Sequence, residues 1–313
     1  MNIQNVAVLT DLSLRESMAV QRACRIAETH GAQLKLVYAP AGAQAPQPHA
    51  ARRLANAAAQ IEESSGLRVN ASVVRGRTIA AIAAELAGCD LLVLADRRER
   101  TLAALFAGQP AQRLLRLAGS PVLVVRSVPS AAYDRILVAV DISPECFEVV
   151  AAAAALEPAA ELELFHATST LKEAWLRSAE ASEQAVRAYR QASTRHAQQR
   201  LMRISDSFSA RRNRVQTTIG RGDPARQALI QQEHTGAALV VVGKRRRPAW
   251  CDFLFGSAAQ RILGWGRSDV LLVPQELSGA GEPVHAPAAG GAIGAWGGLV
   301  AMRAADGEGG HVR

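Results

Sequence analysis

The stretch of sequence from Leu239 to Pro274 reads LVVVGKRRRPAWCDFLFGSAAQRILGWGRSDVLLVP. It begins with four apolar residues that stop at Gly243, and a basic segment then leads to Gly256 and Ser257. An Ala-rich segment follows, and a second short apolar run closes the stretch. Two short apolar runs on either side of a helix-favouring segment are typical of a β-α-β unit with parallel strands.

The loop of this unit has residues suited to binding a phosphate. A glycine at the carboxyl end of a strand lets backbone N–H groups approach an anion, because no Cβ is in the way. Gly-Ser at the start of a helix adds a hydroxyl group and the positive end of the helix dipole. The alternative is that Gly243 and Gly256 only form turns. The stretch therefore indicates either a phosphate loop or two turn glycines.

Composition suggests a large α/β protein with about two domains. The chain has 313 residues, of which 49% are hydrophobic, 20% charged and only 4% aromatic. Such a chain buries a large core, and abundant Ala and Val favour helices packed closely on a sheet. The formal net charge of +8 raises affinity for nucleic acids, anionic membranes and acidic partners, but it indicates nothing about the fold. Two basic runs, 97–100 and 244–247, each follow a predicted strand, and a solvated loop is the alternative interpretation of both.

Targeting and cysteine patterns indicate a soluble, cytoplasmic protein. The N-terminal residues form neither a basic region nor a long apolar region, and the apolar segment 286–302 is broken by Gly and Pro. The four cysteines lack metal-ligand spacing. We expect Cys24, Cys89 and Cys146 to be small core residues, whereas Cys251 lies in the basic loop.

Strands and helices alternate along the first 127 residues. Gly31 is expected to end the first helix, and Ser13 to cap its start. The predicted strands are 6–9, 34–38, 69–74, 91–94 and 122–125, and the predicted helices begin near residues 14, 51, 79 and 111. Alternation of this kind predicts a parallel, doubly wound sheet.

The same order then begins again. The matching pairs are VAVLTDLS at 6–13 with ILVAVDIS at 136–143, RGRT at 75–78 with RGDP at 221–224, and SPV at 120–122 with SDV at 268–270. The interval grows from 130 residues at the first pair to 146 and 148 at the others, so the second copy has an insertion. We expect a longer helix there, over 171–204. The predicted domains are 1–127 and 133–275, followed by a flexible Gly/Ala-rich tail at 276–313.

These residues resemble the universal stress protein family, in a tandem two-domain form. The resemblance covers roughly residues 1–275. It implies an α/β fold of two flavodoxin-like or Rossmann-like, doubly wound, parallel five-stranded sheets in tandem, related by a pseudo-twofold axis. It also implies that the final strands, 122–125 and 270–273, pair with each other, because an exposed apolar edge invites aggregation.

Nucleotide-binding members of the family have the pattern G-x2-G-x9-G-[ST], which wraps the phosphates of ATP. The second copy matches three of its four positions, with Gly243, Gly256 and Ser257 in place and Arg246 at the second glycine position. The first copy, at Ala95, Arg98, Gly108 and Gln109, keeps only Gly108. The resemblance therefore implies at most one site, in the second domain. Arg246 either blocks the approach of a phosphate or binds one through its guanidinium group.

The resemblance also assigns roles around that site. Asp141 would face the ribose or a phosphate-bound Mg²⁺ ion. The cofactor-binding residues that it implies for ATP are Asp141, Ile142, His166, Gly243, Lys244, Arg246, Gly256 and Ser257. The alternatives are that Asp141 and Asp11 cap helices with Ser143 and Ser13, and that His166 is a satisfied edge residue.

The function implied is that of a stress-response, ATP-binding regulatory module. The sequence has no Ser/His/Asp order, carboxylate pair or HExxH motif, so we expect at most slow ATP hydrolysis and assign no catalytic or metal-ligating residue. One alternative is a family scaffold that acts through protein contacts without a nucleotide. Another is a basic nucleic-acid or anion binder, although no nucleic-acid motif is present. We expect no membrane partner, and a homo-oligomer such as a dimer is consistent with the family.

Overall fold

A computed structural model describes residues 2–13, 16–39, 49–74, 78–96, 119–127, 131–209, 214–245 and 258–275. All of them belong to one compact unit, Met1–Glu276. The predictions for the helix at 111–117, for the loop residues Arg246, Cys251, Gly256 and Ser257, and for the tail at 276–313 lie outside the described residues.

Strands and helices alternate in both halves, as predicted. The first half contains β1 (Asn5–Thr10), α1 (Ser17–His30), β2 (Gln33–Tyr38), α2 (Ala50–Ser65), β3 (Val69–Val73), α3 (Ile79–Glu85), β4 (Leu91–Ala95) and β5 (Val122–Val125). The second half contains β6 (Arg135–Ala139), α4 (Cys146–Leu156), β7 (Glu161–Thr168), α5 (Leu171–Ser178), α6 (Glu183–Ser209), β8 (Val215–Arg221), α7 (Pro224–Thr235), β9 (Leu239–Arg245), α8 (Ala258–Trp265) and β10 (Asp269–Gln275).

The strands form one sheet in the order β3-β2-β1-β4-β5-β10-β9-β6-β7-β8. All pairs within each half are parallel, whereas β5 and β10 are antiparallel, with Leu123 opposite Leu271. The predicted pairing of the two final strands is confirmed. The two five-stranded sheets are therefore joined into one ten-stranded sheet, and its mirrored strand order places a pseudo-twofold axis between β5 and β10.

Helices cover both faces of this sheet. Buried residues of α1, α2, α4 and α6 pack with strand residues into one core cluster, and those of α3, α7 and α8 form a second cluster on the other face. Strands covered on both sides are apolar along their whole length, and every residue of β4 and β5 is buried. In the described part of the chain, no helix is long and apolar enough to cross a bilayer.

Several helix ends follow their sequence signals. Asp223 caps α7 by accepting a hydrogen bond of 2.9 Å from the N–H of Arg226, and Gly31 ends α1 at a φ of 61°. The prediction that Ser13 caps α1 is wrong. The N-cap residue is Glu16, and the N–H of Ser13 donates to the Asp11 carboxylate at 2.9 Å, so these residues form a separate turn before the helix.

The segment that contains the insertion forms two helices. The expected longer helix is present as α6, with 27 residues, but it does not extend over all of 171–204, because the shorter α5 precedes it. The break lies at 179–182, where Glu180 adopts a left-handed φ of 57°. Ser182 then accepts a hydrogen bond of 3.2 Å from the N–H of Ala185 at the start of α6. A serine that caps a new helix competes with continuation of the old one.

Candidate functional site

The candidate site lies where the connections of the second half change direction across the sheet. Strand β6 lies between β7 and β9, with Ala139 opposite Phe165 on one side and Val242 on the other. One residue further along, Val140 therefore lies between His166 and Gly243. Open α/β sheets bind ligands at such a switch point, outside the carboxyl ends of the strands.

Asp141 follows β6 at this edge, and its side chain is exposed. Its Oδ1 accepts hydrogen bonds from the N–H of Ser143 at 3.2 Å and from the Ser143 hydroxyl at 2.7 Å. The N-cap of α4 is Glu145, which makes no side-chain capping bond. The alternative that Asp141 caps this helix is therefore wrong, because its carboxylate shapes the β6–α4 turn instead.

Ile142 has a left-handed φ of 56°, a conformation that strains a β-branched residue. Its carbonyl accepts hydrogen bonds from Nε and Nη2 of Arg200 on α6, at 3.4 and 3.3 Å. The first half repeats this arrangement, because Leu12 has a φ of 62° and its carbonyl accepts a 3.2 Å bond from Arg53 on α2.

Arg53 and Arg200 occupy equivalent positions in the two halves, and the sequence analysis did not predict their role. The two arginines lie 147 residues apart, between the intervals of 146 and 148 at the later repeat positions. The repeat therefore contained the signal for this equivalence. It becomes visible when the insertion is assigned to the residues before Arg200, so that α6 aligns with α2.

His166 binds the backbone through Nδ1, which lies 2.9 Å from the carbonyl oxygen of Val140. A carbonyl can only accept, so Nδ1 carries the proton and Nε2 carries the lone pair. Burial lowers the pKa of His166, whereas the bond to Val140 and the charge of Asp141 act in the opposite direction. His166 is therefore neutral at neutral pH, and its Nε2 can accept a hydrogen bond. Its Nδ1 is already bonded to Val140, as expected for a satisfied residue at the edge of the sheet.

Gly243 does not end β9, as the sequence suggested. The strand continues through Lys244 and Arg245, and its ladder with β10 runs on to Gln275. A Cβ added to Gly243 would lie 2.6 Å from Cδ of Gln275, a side chain that is only 3% exposed. Gly243 therefore allows close packing of Gln275 in the strand, and it is not a turn residue.

The first half contains carboxylates at the corresponding positions. The N–H of Asp11 donates to the carboxylate of Glu16, which is 5% exposed. Asp96 forms an ion pair of 2.7 Å with Arg126. The counterparts at intervals of 130 and 148 residues are Cys146 for Glu16 and Lys244 for Asp96. At these two positions the first half has two carboxylates, one of them paired with Arg126, whereas the second half has neither and gains an ammonium group.

The register places Asp141, Ile142, His166, Gly243 and Lys244 along one edge of the second half. The remaining candidates, Arg246, Gly256 and Ser257, lie outside the described residues. Within the part of the chain that the structure describes, no group of three His, Cys, Asp or Glu side chains is arranged to hold a metal ion.

The sequence model of the universal stress protein family matches residues 2–126 and again residues 132–274. The chain belongs to the universal stress protein family. The two matches describe two such domains in tandem and confirm the resemblance drawn from the sequence. No curated protein matches the chain.

Solved structures that cover most of this chain agree with this tandem universal stress protein in fold. A universal stress protein from Archaeoglobus fulgidus is 17% identical, with a TM-score of 0.61 over 87% of this chain and 96% of that one. The functionally unknown protein PA1789 from Pseudomonas aeruginosa is 22% identical, with a TM-score of 0.60 over 87% of this chain and 93% of its own. A universal stress protein solved in complex with cAMP is 27% identical and covers 40% of this chain, with a TM-score of 0.32.

Proposed function

We propose that this tandem universal stress protein is a nucleotide-binding regulatory module with a single site, for ATP with Mg²⁺, at the carboxyl edge of the second half. The observation that carries the proposal is the change of charge between equivalent positions. Where the first half has Asp96 and the buried Glu16, the second half has Lys244 and Cys146. These two differences make the second half the more favourable one for the negative charge of a triphosphate.

The residues at the edge fit the parts of a nucleotide. Lys244 would attract the phosphates, together with Arg246, Gly256 and Ser257 of the adjoining loop. The exposed carboxylate of Asp141 suits a ribose hydroxyl or a phosphate-bound Mg²⁺ ion. The lone pair on Nε2 of His166 can accept a hydrogen bond from the ligand. When bound, the nucleotide would supply negative charge to Lys244 and Arg246 and so link the loop to the sheet.

The packing of Gln275 sets a condition on this site. Its amide occupies the space that a Cβ of Gly243 would fill. Close approach of a phosphate to that face of the glycine therefore requires the amide to rotate away. A flexible amide side chain allows such a movement. We propose no catalytic step at this edge.

The proposal is tested by calorimetric titration of Mg-ATP into the full chain. We expect one site per chain, weakened about tenfold or more in Lys244→Gln and in Asp141→Asn, since each substitution removes a charged contact of about 1.5–3 kcal/mol. The matched control is Asp11→Asn, which makes the same change at the equivalent position of the first half and should leave the affinity unaltered.

Two results would contradict the proposal. Absence of heat with Mg-ATP, Mg-ADP and cAMP would favour a scaffold that acts through protein contacts. Equal weakening by Asp11→Asn and Asp141→Asn would show that the ligand does not distinguish the halves, and the charge argument would be wrong.

A further inference from the structure

The second half also contains a cavity of about 530 Å³ between α6 and the carboxyl ends of β7 and β8. Volumes of this order hold small organic ligands in other proteins. The residues that decide its chemistry are Arg190, Thr194, Leu201, Thr217, Ile219 and Arg221. None of these is among the residues proposed for the nucleotide.

The two arginines at the wall of this cavity already hold a carboxylate of the chain. Glu173 on α5 is 4% exposed, and its carboxylate accepts bonds from Nε and Nη2 of Arg190 at 3.2 and 2.9 Å. Nε of Arg221 donates to it at 3.2 Å, and Nη2 of Arg221 also binds it. The hydrogen bonds of Arg221, followed by those of Arg190, lower the pKa of Glu173. The arginine pair is therefore built to recognise a carboxylate.

This cluster has an excess of positive charge. Two guanidinium groups and one carboxylate leave a net charge of +1. Each arginine binds Glu173 through its Nε and Nη2 atoms, and the Nη1 groups of both make no hydrogen bond with any described residue. The arginine side chains are 37% and 46% exposed, so a ligand from solvent can reach them.

The rest of the cavity wall is mixed in character. Leu201 is buried and Ile219 half-buried, and they give the cavity an apolar side, while Thr194 and Thr217 add hydroxyl groups. An anionic head beside the arginines and an apolar body against Leu201 and Ile219 would match this division. Buried apolar contact supplies affinity, and the bidentate guanidinium groups supply selectivity for a carboxylate.

We propose that this cavity is a second ligand site, which binds a small organic monocarboxylate with an apolar body. The carboxylate of the ligand lies on the Nη1 side of Arg190 and Arg221, next to Glu173, and neutralises the remaining positive charge of the cluster. The insertion in the second half supplies part of this site, because Glu173 lies on α5 and Arg190 and Thr194 lie on the part of α6 that precedes its alignment with α2.

The test uses sodium octanoate and its neutral counterpart octanamide, titrated into the full chain and followed by calorimetry and ligand-observed NMR. We expect octanoate to bind at one site, at least tenfold more tightly than octanamide, and to weaken as salt is raised. Arg190→Gln and Arg221→Gln should each lower its affinity about tenfold. The control Arg195→Gln removes an exposed arginine of the same helix and should have no effect.

Glu173→Gln should change the affinity for octanoate in the opposite direction. It raises the net charge of the cluster from +1 to +2, so octanoate should bind several-fold more tightly even though the variant is less stable. A purely structural role of the cluster would instead give no gain in affinity. Thermal unfolding of each variant, measured first, confirms that it is folded.

The proposal is overturned if octanoate and octanamide bind equally, if neither binds, or if Arg195→Gln has the same effect as Arg221→Gln. The test is independent of the nucleotide site, because Asp141→Asn should leave octanoate binding unchanged. Loss of Mg-ATP binding without loss of octanoate binding therefore distinguishes failure of one proposal from failure of the other.

Discussion

The hydroxyl of Tyr133 donates a 2.6 Å hydrogen bond to Oδ2 of Asp269, and the carboxylate of Asp269 is completely buried. The other oxygen of Asp269 accepts from the N–H groups of Arg126 and Ser127 at 2.7 and 3.1 Å. Arg22 of α1 places its Nε 3.8 Å from the same carboxylate and its guanidinium 4.0 Å from the centre of the Tyr133 ring. One residue of β10 thus connects α1 and β5 of the first half to the segment that enters the second.

The first prediction concerns this buried carboxylate. Asp269→Ala should lower the free energy of unfolding by about 3–5 kcal/mol, because it leaves the charge of Arg22 buried without a countercharge. Tyr133→Phe should cost about 1.5–3 kcal/mol, the usual contribution of a hydrogen bond to a charged group. Denaturant unfolding of both single variants and of the double variant measures their coupling. The exposed Asp134→Ala serves as control and should change stability by less than about 0.5 kcal/mol; additive effects of Asp269→Ala and Tyr133→Phe would contradict the hydrogen bond.

The second prediction concerns Gly220 at the end of β8. An added Cβ would lie 2.6 Å from Cζ of Phe165, which is 3% exposed and belongs to the core cluster under α7. Gly220→Ala should therefore lower the free energy of unfolding by about 1–3 kcal/mol. Adding Phe165→Leu should recover part of that loss, because the shorter side chain leaves room for the methyl group.

Gly264 in α8 is the matched control for this substitution. A Cβ there would meet no atom within 4 Å, and alanine is favoured over glycine inside a helix by about 1 kcal/mol. Gly264→Ala should therefore leave stability unchanged or raise it. Equal destabilisation at both glycines would mean that contact with Phe165 is not the cause.

The third prediction follows from the lowered pKa of His166. Burial holds the folded pKa below its ordinary value, 6.5, so the neutral ring favours the folded state. This contribution is complete above pH 6.5 and is lost as the pH falls through the folded pKa, because the unfolded chain then binds the proton first. The free energy of unfolding should fall between pH 7.5 and pH 5, and less steeply in His166→Gln. An NMR titration of the ring, assigned by the signal lost in that variant, should give a midpoint below 6.5; a midpoint above it would contradict the prediction.

The fourth prediction separates the packing of Gly243 from its proposed part in nucleotide binding. Gly243→Ala should lower stability, because the new Cβ meets the buried amide of Gln275. Gly243→Ala with Gln275→Ala removes that contact and should recover most of the stability. If the glycine also admits a phosphate, Mg-ATP affinity should stay reduced in the double variant while Gln275→Ala alone binds normally. Full recovery of affinity would mean that Gly243 serves only the packing of Gln275.

Sequence patterns predicted the order of strands and helices and the duplication, and the family resemblance predicted the pairing of the final strands. These features depend on hydrophobic periodicity, on local capping chemistry and on the match between 6–13 and 136–143. Each is fixed by residues close together in the chain or by direct comparison of two segments. For that reason the strand bounds of the first half differ from those predicted by at most one residue at each end.

Two differences from the prediction are local. Glu16 rather than Ser13 is the N-cap of α1, and Glu180, with a left-handed φ, interrupts the helix predicted over 171–204. Tertiary contacts decided the rest. Gly243 lies within a strand because β10 continues the ladder to Gln275. The association of Glu173 with Arg190 and Arg221 joins three elements of the second half. Local periodicity carries no information about such distant contacts, because they depend on which side chains the folded sheet brings together.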